Sequence, residues 1–244
     1  MSAEPRIWAV LPAAGVGRRM GGSVPKQYLP VAGRTVIGWS LAAVASHPLV
    51  AGTVVALAAG DWSWEPPAAA AGHPVHRVDG GAERADSVRA ALRMLRDGPA
   101  GPRDWALVHD AVRPCVSERA VSDLVAAVFP ERSSGGLLAI PVRDTLKRAD
   151  ANGQVASTAT RDGLWQAQTP QLFPLTALLE ALDAVSARGE SVTDEAQAME
   201  QAGHRPLLVT GEATNLKITQ PEDLTLAAGI LASAYSGSPA GTVR

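Results

Sequence analysis

Short apolar runs alternate along the chain with segments whose apolar residues recur at every third or fourth position. The runs IWAVLP, GTVVALAA, PVHRVDG, DWALVHD and GGLLAIP read as strands. Several are unbroken, which suits strands covered on both faces. Between them, Ala85, Val88, Leu92 and Leu95 fall on one helical face, with Arg84, Arg89, Arg93 and Arg96 around the other sides. Val121, Leu124, Val125 and Val128 repeat the pattern, introduced by Ser117 as an N-cap with acidic Glu118 after it. Strand, helix and strand repeated in this way imply an α/β fold: a mostly parallel sheet joined by right-handed crossovers, with helices on both faces. In such sheets ligands bind beyond the carboxyl ends of the strands. The glycine loop after the first run and HDAVRP after a later one both fall there.

The rhythm breaks at about residue 142. VRDTLKRADANGQVASTATRDGLWQAQTPQLF has polar, strand-like pieces on either side of the turn ANG and little to bury. The pattern predicts a projecting β-hairpin arm over about 142–165. Such an arm is marginal alone, so it is expected to pack on a partner, most simply the same arm of a second subunit. Helical patterns resume from Leu175 and from Thr193. PLLVTG and TNLKIT then read as short strands, before a closing helix with Leu224, Ala227, Ala228 and Leu231 on one face. The tract PAAAAG reads as loop or helix. A single domain is expected over 1–244, with the tail 235–244 disordered.

Composition narrows the class. With 244 residues, 46% of them hydrophobic, the chain can bury a sizeable core. Its formal charge of −2, without a run of like charges, argues against nucleic-acid binding and against a polybasic membrane anchor. No stretch approaches the ~18 apolar residues of a spanning helix, and MSAEPR does not read as a secretory signal. Cys115 is the single cysteine, which excludes an internal disulfide and agrees with a reducing compartment. The expectation is a cytoplasmic protein.

Against that near-neutral background, Arg18, Arg19 and Lys26 gather around glycines just after the first strand. A dinucleotide fingerprint fails there, because Met20 stands at the third glycine position after Gly15 and Gly17, and the P-loop pattern fails too. What remains is a loop whose backbone N–H groups can approach an anion, with cations in reach. Pro25 restricts the backbone that presents Lys26. A phosphate-binding loop for a nucleoside triphosphate is the reading that fits best. Further on, Asp110 ends an apolar run, where a carboxylate could hold Mg²⁺ or a ribose hydroxyl, or could merely cap a turn. His109 faces the other side and reads as a packed histidine, Arg113 as a loop-orienting residue, and Cys115 as a buried side chain. In DGGAERADSV, Gly80 and Gly81 expose backbone donors and Ser87 lies on the first turns of a helix, a combination that could read a base edge. Thr193 fits a helix N-cap, with Asp194 and Glu195 suiting the dipole, and Lys217 stands between Leu216 and Ile218.

Taken in order, PAAGVGRRM…PKQYL, DGGAERADSV, VHDAVRP, PVRDTLKR, TPQLF, TDEA and NLKIT.PEDL resemble the 2-C-methyl-D-erythritol 4-phosphate cytidylyltransferase family, from about Ile7 to Leu231. The resemblance implies a Rossmann-like nucleotidyltransferase body and an arm that makes a homodimer. It implies that Pro12, Ala13, Ala14, Gly15, Gly17 and Arg18 line the CTP phosphates, and that Arg19 and Lys26 stabilise the charge of the transition state. Ala13, Gly81 and Ser87 would contact cytosine, and Asp110 with Ala111 the ribose and metal side. Thr145 and Arg161 on the arm, with Thr193 and Lys217, would hold methylerythritol phosphate, the arm residues serving the neighbouring subunit. Ala82 stands where many members carry aspartate, so base recognition there would rest on backbone groups and Ser87.

The chemistry so implied is attack by a substrate phosphate oxygen on the α-phosphorus of CTP, with pyrophosphate leaving and Mg²⁺ as cofactor. A phosphomonoester is already largely ionised near neutrality, its second pKa being ~6. No general base is needed, and the work is positioning and charge stabilisation by Arg, Lys and Mg²⁺. Competing readings are a cytidylyltransferase for another polyol phosphate such as ribitol 5-phosphate, and a silent nucleotide-binding regulator. An NAD-dependent oxidoreductase is disfavoured by the failed glycine fingerprint.

Overall fold

A computed structural model of the chain describes residues 4–15, 24–129 and 133–235. The amino-terminal half runs through β1 (Ile7–Pro12), β2 (Pro30–Val31), β3 (Arg34–Thr35), α1 (Val36–Ala45), β4 (Val50–Leu57), β5 (Ala69–Ala70), β6 (His73–Asp79), α2 (Arg84–Arg96), β7 (Trp105–Val108) and α3 (Glu118–Val128). It continues through β8 (Gly136–Pro141), β9 (Leu146–Ala149), β10 (Val155–Ala159), β11 (Trp165–Pro174), α4 (Leu175–Ala187), α5 (Glu195–Gln201), β12 (Leu207–Thr210) and α6 (Pro221–Tyr235). The central sheet has the order β12-β8-β11-β7-β1-β4-β6-β5. Its strands run parallel except β11, which opposes β7 and β8, and β5, which opposes β6.

Alternation along β1 divides the interior in two. Ile7, Ala9 and Leu11 join a core with Ile37, Leu41 and Val44 of α1 and Val121, Leu124 and Val128 of α3. Trp8 and Val10 face the other way, onto Val88, Leu92 and Leu95 of α2 and Leu175, Leu178 and Leu182 of α4. Each large side chain so buried contributes ~1.5–3 kcal/mol relative to exposure. A smaller cluster seats α6, through Ala227 and Leu231, on Val36, Trp39, Cys115 and Ile218. After β1 the chain adds β4 on one side, and after β6 it returns to add β7 on the other. The carboxyl ends of β1 and β7 therefore flank the point where strand order reverses, where such sheets bind ligands.

A two-stranded hairpin lies within 142–165, the stretch expected to form an arm. β9 and β10 pair antiparallel as a separate two-stranded sheet, from Val155 opposite Ala149 to Ala159 opposite Leu146. Asp150 Oδ1 closes the turn by accepting the Asn152 and Gln154 amides. Val155, Leu164 and Trp165 stay exposed along it.

Three local expectations need correction. Ala69 and Ala70 of PAAAAG form an edge strand against Pro74 and His73, neither loop nor helix. TNLKIT is not a strand. Its amides are claimed singly, Ile218 N–H by the Val112 carbonyl and Thr219 N–H by Asp223 Oδ2, which also takes the Gln220 N–H just beyond, so no ladder forms. The cap of α5 is Asp194, which accepts from Gln197 N–H, while the Thr193 amide and hydroxyl both donate to Gln197 Oε1. A carboxylate is the better acceptor at the positive end of a helix, which moves the cap one residue on. Ser117 caps α3 as expected. The expectation for the tail beyond Tyr235 lies outside the described residues.

Candidate active site

At the carboxyl ends of β1 and β7 lies a cavity of about 300 Å³. Pro12, Ala13, Ala14, Gly15, Lys26, Gly81, Ser87, Asp110, Ala111 and Lys217 all line it. The glycine loop enters from β1. Gln27, buried behind it, donates its amide to the Ala13 and Gly15 carbonyls and so fixes the loop's first turn against the segment that carries Lys26. Tyr28 anchors the far side, its hydroxyl donating to Asp61 Oδ2 at 2.7 Å and its ring stacked on Trp64. Lys26 Nζ donates to the Ile218 carbonyl at 2.8 Å, which ties it to the segment bearing Lys217.

The loop before α2 closes the opposite wall. Gly81 N–H donates to Ser87 Oγ, and Ser87 Oγ donates to the Glu83 carbonyl. Glu83 and Asp86 complete a capping box. Gly80 lets this wall approach the glycine loop, since a Cβ there would meet Ala14 Cβ and Ser87 Oγ at 2.7 Å.

Asp110 sits at the centre. Its Oδ1 accepts from Arg84 Nε at 2.8 Å, and its Oδ2 lies 2.8 Å from Lys217 Nζ and 3.7 Å from Arg113 Nε. Burial alone would raise this carboxyl, but Arg84, Lys217 and Arg113 hold it well below the usual carboxylate range. Glu195, fully buried, accepts the other two guanidinium nitrogens of Arg84, and burial pushes its carboxyl up against that attraction.

The loop carrying Asp110 is held from beneath. Nε2 of His109 lies 3.0 Å from the Arg113 carbonyl, which can only accept, so Nε2 bears the proton of the neutral ring. Nδ1 then accepts from the Thr169 hydroxyl, whose oxygen also accepts the Asp110 amide. Burial pushes the imidazole down to about 4, so it is neutral at physiological pH and packed, with no acid–base part. Cys115 is buried, its thiol pushed up to about 11, and so is not a nucleophile.

Some expected residues are not brought to this cavity. Thr145, Arg161 and Thr193 are exposed and do not line it; the Arg161 guanidinium donates to the Arg143 carbonyl within the arm. Gly17, Arg18 and Arg19 lie outside the described residues. Conversely, Gln27, Glu83, Arg84 and Val112 line the cavity although the sequence does not mark them, and Ala82, expected to make no contact with the base, lines it too. Arg84 was placed on the solvent side of its helix because only the apolar face of α2 declares itself in sequence. Its position beside the double glycine was the available signal.

Among the described residues, no group of three or more His, Cys, Asp or Glu could hold a metal ion. None of their helices is long and apolar enough to cross a membrane.

Comparison with known proteins gives a consistent result. The family model for 2-C-methyl-D-erythritol 4-phosphate cytidylyltransferase matches residues 7–233. The enzyme of that name from Halorhodospira halophila is 60% identical over 234 residues, covering 93% of this chain and 94% of its own. That from Ectopseudomonas mendocina is 52% identical, covering 90% and 93%. The crystal structure of the Francisella tularensis 2-C-methyl-D-erythritol 4-phosphate cytidylyltransferase superposes with a TM-score of 0.78 at 33% identity, over 92% of this chain and 99% of that one. The crystal structure of the Thermus thermophilus enzyme gives 0.74 at 35% identity, over 91% and 97%. Matched over residues 7–233 by the family model and 60% identical to a relative along almost its whole length, the chain belongs to the 2-C-methyl-D-erythritol 4-phosphate cytidylyltransferase family.

Proposed function

We infer that the chain transfers CMP from CTP to 2-C-methyl-D-erythritol 4-phosphate, giving 4-diphosphocytidyl-2-C-methyl-D-erythritol and pyrophosphate. The observation that carries this is the convergence of the glycine loop, Lys26, the Gly81–Ser87 wall, Asp110 and Lys217 on one cavity at the strand-order reversal. Cytosine is read at the Gly81 and Ala13 backbone, with Ser87 holding that wall in shape. Asp110 and Ala111 take the ribose. Arg18, Arg19 and Lys26 draw in the triphosphate and neutralise the charge that develops on the α-phosphoryl group and on departing pyrophosphate.

The nucleophile is the phosphate of methylerythritol phosphate, already ionised near neutrality, so positioning replaces base catalysis. Lys217 holds that phosphate in line, and Thr193 with the arm residues Thr145 and Arg161 fixes the polyol. Because Thr145 and Arg161 lie away from the cavity of their own chain, they act on the site of a second subunit in a homodimer. The exposed Val155, Leu164 and Trp165 along the arm support that pairing.

The donor set fits Mg²⁺ carried by the nucleotide. Asp110 and Glu83 are the carboxylates that line the cavity; both oxygens of Asp110 already face cations, and Mg²⁺ commonly rests on substrate phosphates and water. When bound, the ion supplies charge neutralisation across the triphosphate oxygens. The test is pyrophosphate release from CTP and Mg²⁺ with methylerythritol phosphate, and with ribitol 5-phosphate in its place. Release only with the latter overturns the substrate assignment.

A further inference from the structure

All three guanidinium nitrogens of Arg84 donate to two carboxylates from different parts of the chain. Nε donates to Asp110 Oδ1 at 2.8 Å, Nη1 to Glu195 Oε1 at 2.6 Å and Nη2 to Glu195 Oε2 at 3.0 Å. The side chains of Asp110 and Glu195 are only 7% and 1% exposed, so both carboxylates depend on protein partners for their charge. A planar fork fixes both distance and angle, which a lysine's point charge cannot do.

What the three residues belong to gives the contact its meaning. Arg84 opens α2, directly after the wall that carries Gly81 and before Ser87. Asp110 follows β7 and is the partner of Lys217. Glu195 opens α5 beside Thr193, and its neighbours are tied down as well: Asp194 caps the helix and accepts from Gln171 Nε2, whose Oε1 accepts the Ala196 amide. One side chain thus joins the base-reading wall, the ribose carboxylate and the turn that presents Thr193.

We propose that Arg84 is a positioning residue that holds the nucleotide half and the polyol-phosphate half of the site in register. It touches neither reacting atom. Its carboxylate partners carry the effect: the Asp110 bond sets the nucleotide side, and the Glu195 fork sets the turn with Thr193. By occupying Oδ1 it also confines Lys217 to Oδ2, on the side of Asp110 that it shares with Arg113. This rests on the assignment of the cavity given above.

A purely structural cross-link predicts something different. A buried ion pair can be exchanged for a neutral pair of similar size with little loss of stability. If Arg84 only braces the fold, Arg84→Met/Glu195→Gln should fold and behave kinetically as the parent. If it positions both halves, that folded double variant should show KM values for CTP and for methylerythritol phosphate each raised about ten-fold, the size of one charge-assisted contact. Glu195→Gln alone leaves the Arg84–Asp110 bond in place. It should raise KM for methylerythritol phosphate and leave KM for CTP unchanged. Arg84→Lys, which can reach only one carboxylate, should restore one of the two KM values and not both. Parental KM values in a folded double variant overturn the proposal, as does a change confined to melting temperature. Should the double variant not fold, an unaltered KM for methylerythritol phosphate in Glu195→Gln overturns it equally. A parent that releases no pyrophosphate overturns the functional reading instead. Calorimetric CTP binding to parent and double variant then still decides the role of Arg84, equal affinities counting against it.

Discussion

Lys217 Nζ lies 2.8 Å from Asp110 Oδ2, and the two ends of this pair differ in exposure, 40% for the lysine side chain against 7% for the aspartate. The carboxylate is therefore a fixed post and the lysine the end that opens to the cavity. A half-exposed pair contributes little to folding, about 0–1 kcal/mol. Removing the cation from the developing charge costs ~3–4 kcal/mol of activation, or roughly 10²–10³ in rate. Lys217→Ala should therefore melt close to the parent while kcat collapses. A kcat within a few-fold of the parent would remove Lys217 from the catalytic set.

The same logic applies to Lys26 and Arg19, cations of the glycine loop in a chain that is not basic overall. Each alanine variant should lose roughly 10²–10³ in kcat with its fold intact. Far-ultraviolet circular dichroism beside steady-state rates separates the two effects. Near-normal turnover in both variants would show that the loop binds phosphate without assisting its transfer.

Chelation provides a third test. With the ion resting chiefly on triphosphate oxygens, EDTA should abolish turnover and added Mg²⁺ should restore it, with no metal retained by the nucleotide-free protein after dialysis. Elemental analysis and pyrophosphate release measure the two halves. Full activity in EDTA counts against the charge-neutralising scheme.

His109 makes a prediction about stability and pH. Burial lowers its imidazole to about 4, below the unfolded value of ~6.5. Between those values the unfolded chain binds the proton and the folded chain does not, so this contribution is complete above pH ~6.5 and falls away toward pH ~4. The difference amounts to ~3 kcal/mol. Glu195, with its carboxyl pushed up, tilts the curve in the opposite sense just above the ordinary carboxylate range. Comparing the parent with His109→Gln isolates the imidazole: the variant should lose less stability between pH 6.5 and 4. Parallel urea melts across that window would mean that His109 is not held neutral.

The arm gives a genetic-style test of shared sites. Mixing inactive Lys26→Ala with inactive Arg161→Ala subunits should restore activity, because a mixed dimer owns one site with both residues intact. With random exchange at equal amounts about half the dimers are mixed, so roughly a quarter of parental activity should return. Confirmed exchange with no recovery would place Arg161 on its own subunit's site or on none.

How far the sequence led can be judged residue by residue. Strands with unbroken apolar runs, such as β1 and β7, and helices with a clear polar side, such as α2 and α3, were legible because burial imposes their period. α1 was not: Val36, Ile37, Trp39, Ser40, Leu41, Val44 and Ala45 are all buried, so no polar face marks the repeat. TNLKIT misled because Lys217 between two apolar residues mimics strand alternation, although its amides bond one by one to Val112 and Asp223. That ten of the expected site residues, Lys217 among them, share one cavity follows from the order of motifs on which the family resemblance rests. The Arg84 bridge was not, because its partners lie 26 and 111 positions away and ionic contacts of that span leave no periodic trace.

The division of β1 between two cores has a consequence for how this chain can vary. Ile7, Trp8, Ala9, Val10 and Leu11 are all at most 3% exposed, and consecutive residues answer to opposite layers of helices. A single-codon deletion within the strand would not merely shorten it. Every residue beyond the lesion would exchange layers: loss of Ile7, for example, would send the Trp8 indole into the space shaped for Ile7 and deliver Gly15 to the cavity one place early. The first strand is therefore a stretch where point replacement is survivable and frame-keeping indels are not. Length variation among working copies should accumulate in turns away from the carboxyl ends of β1 and β7, where the cavity lies.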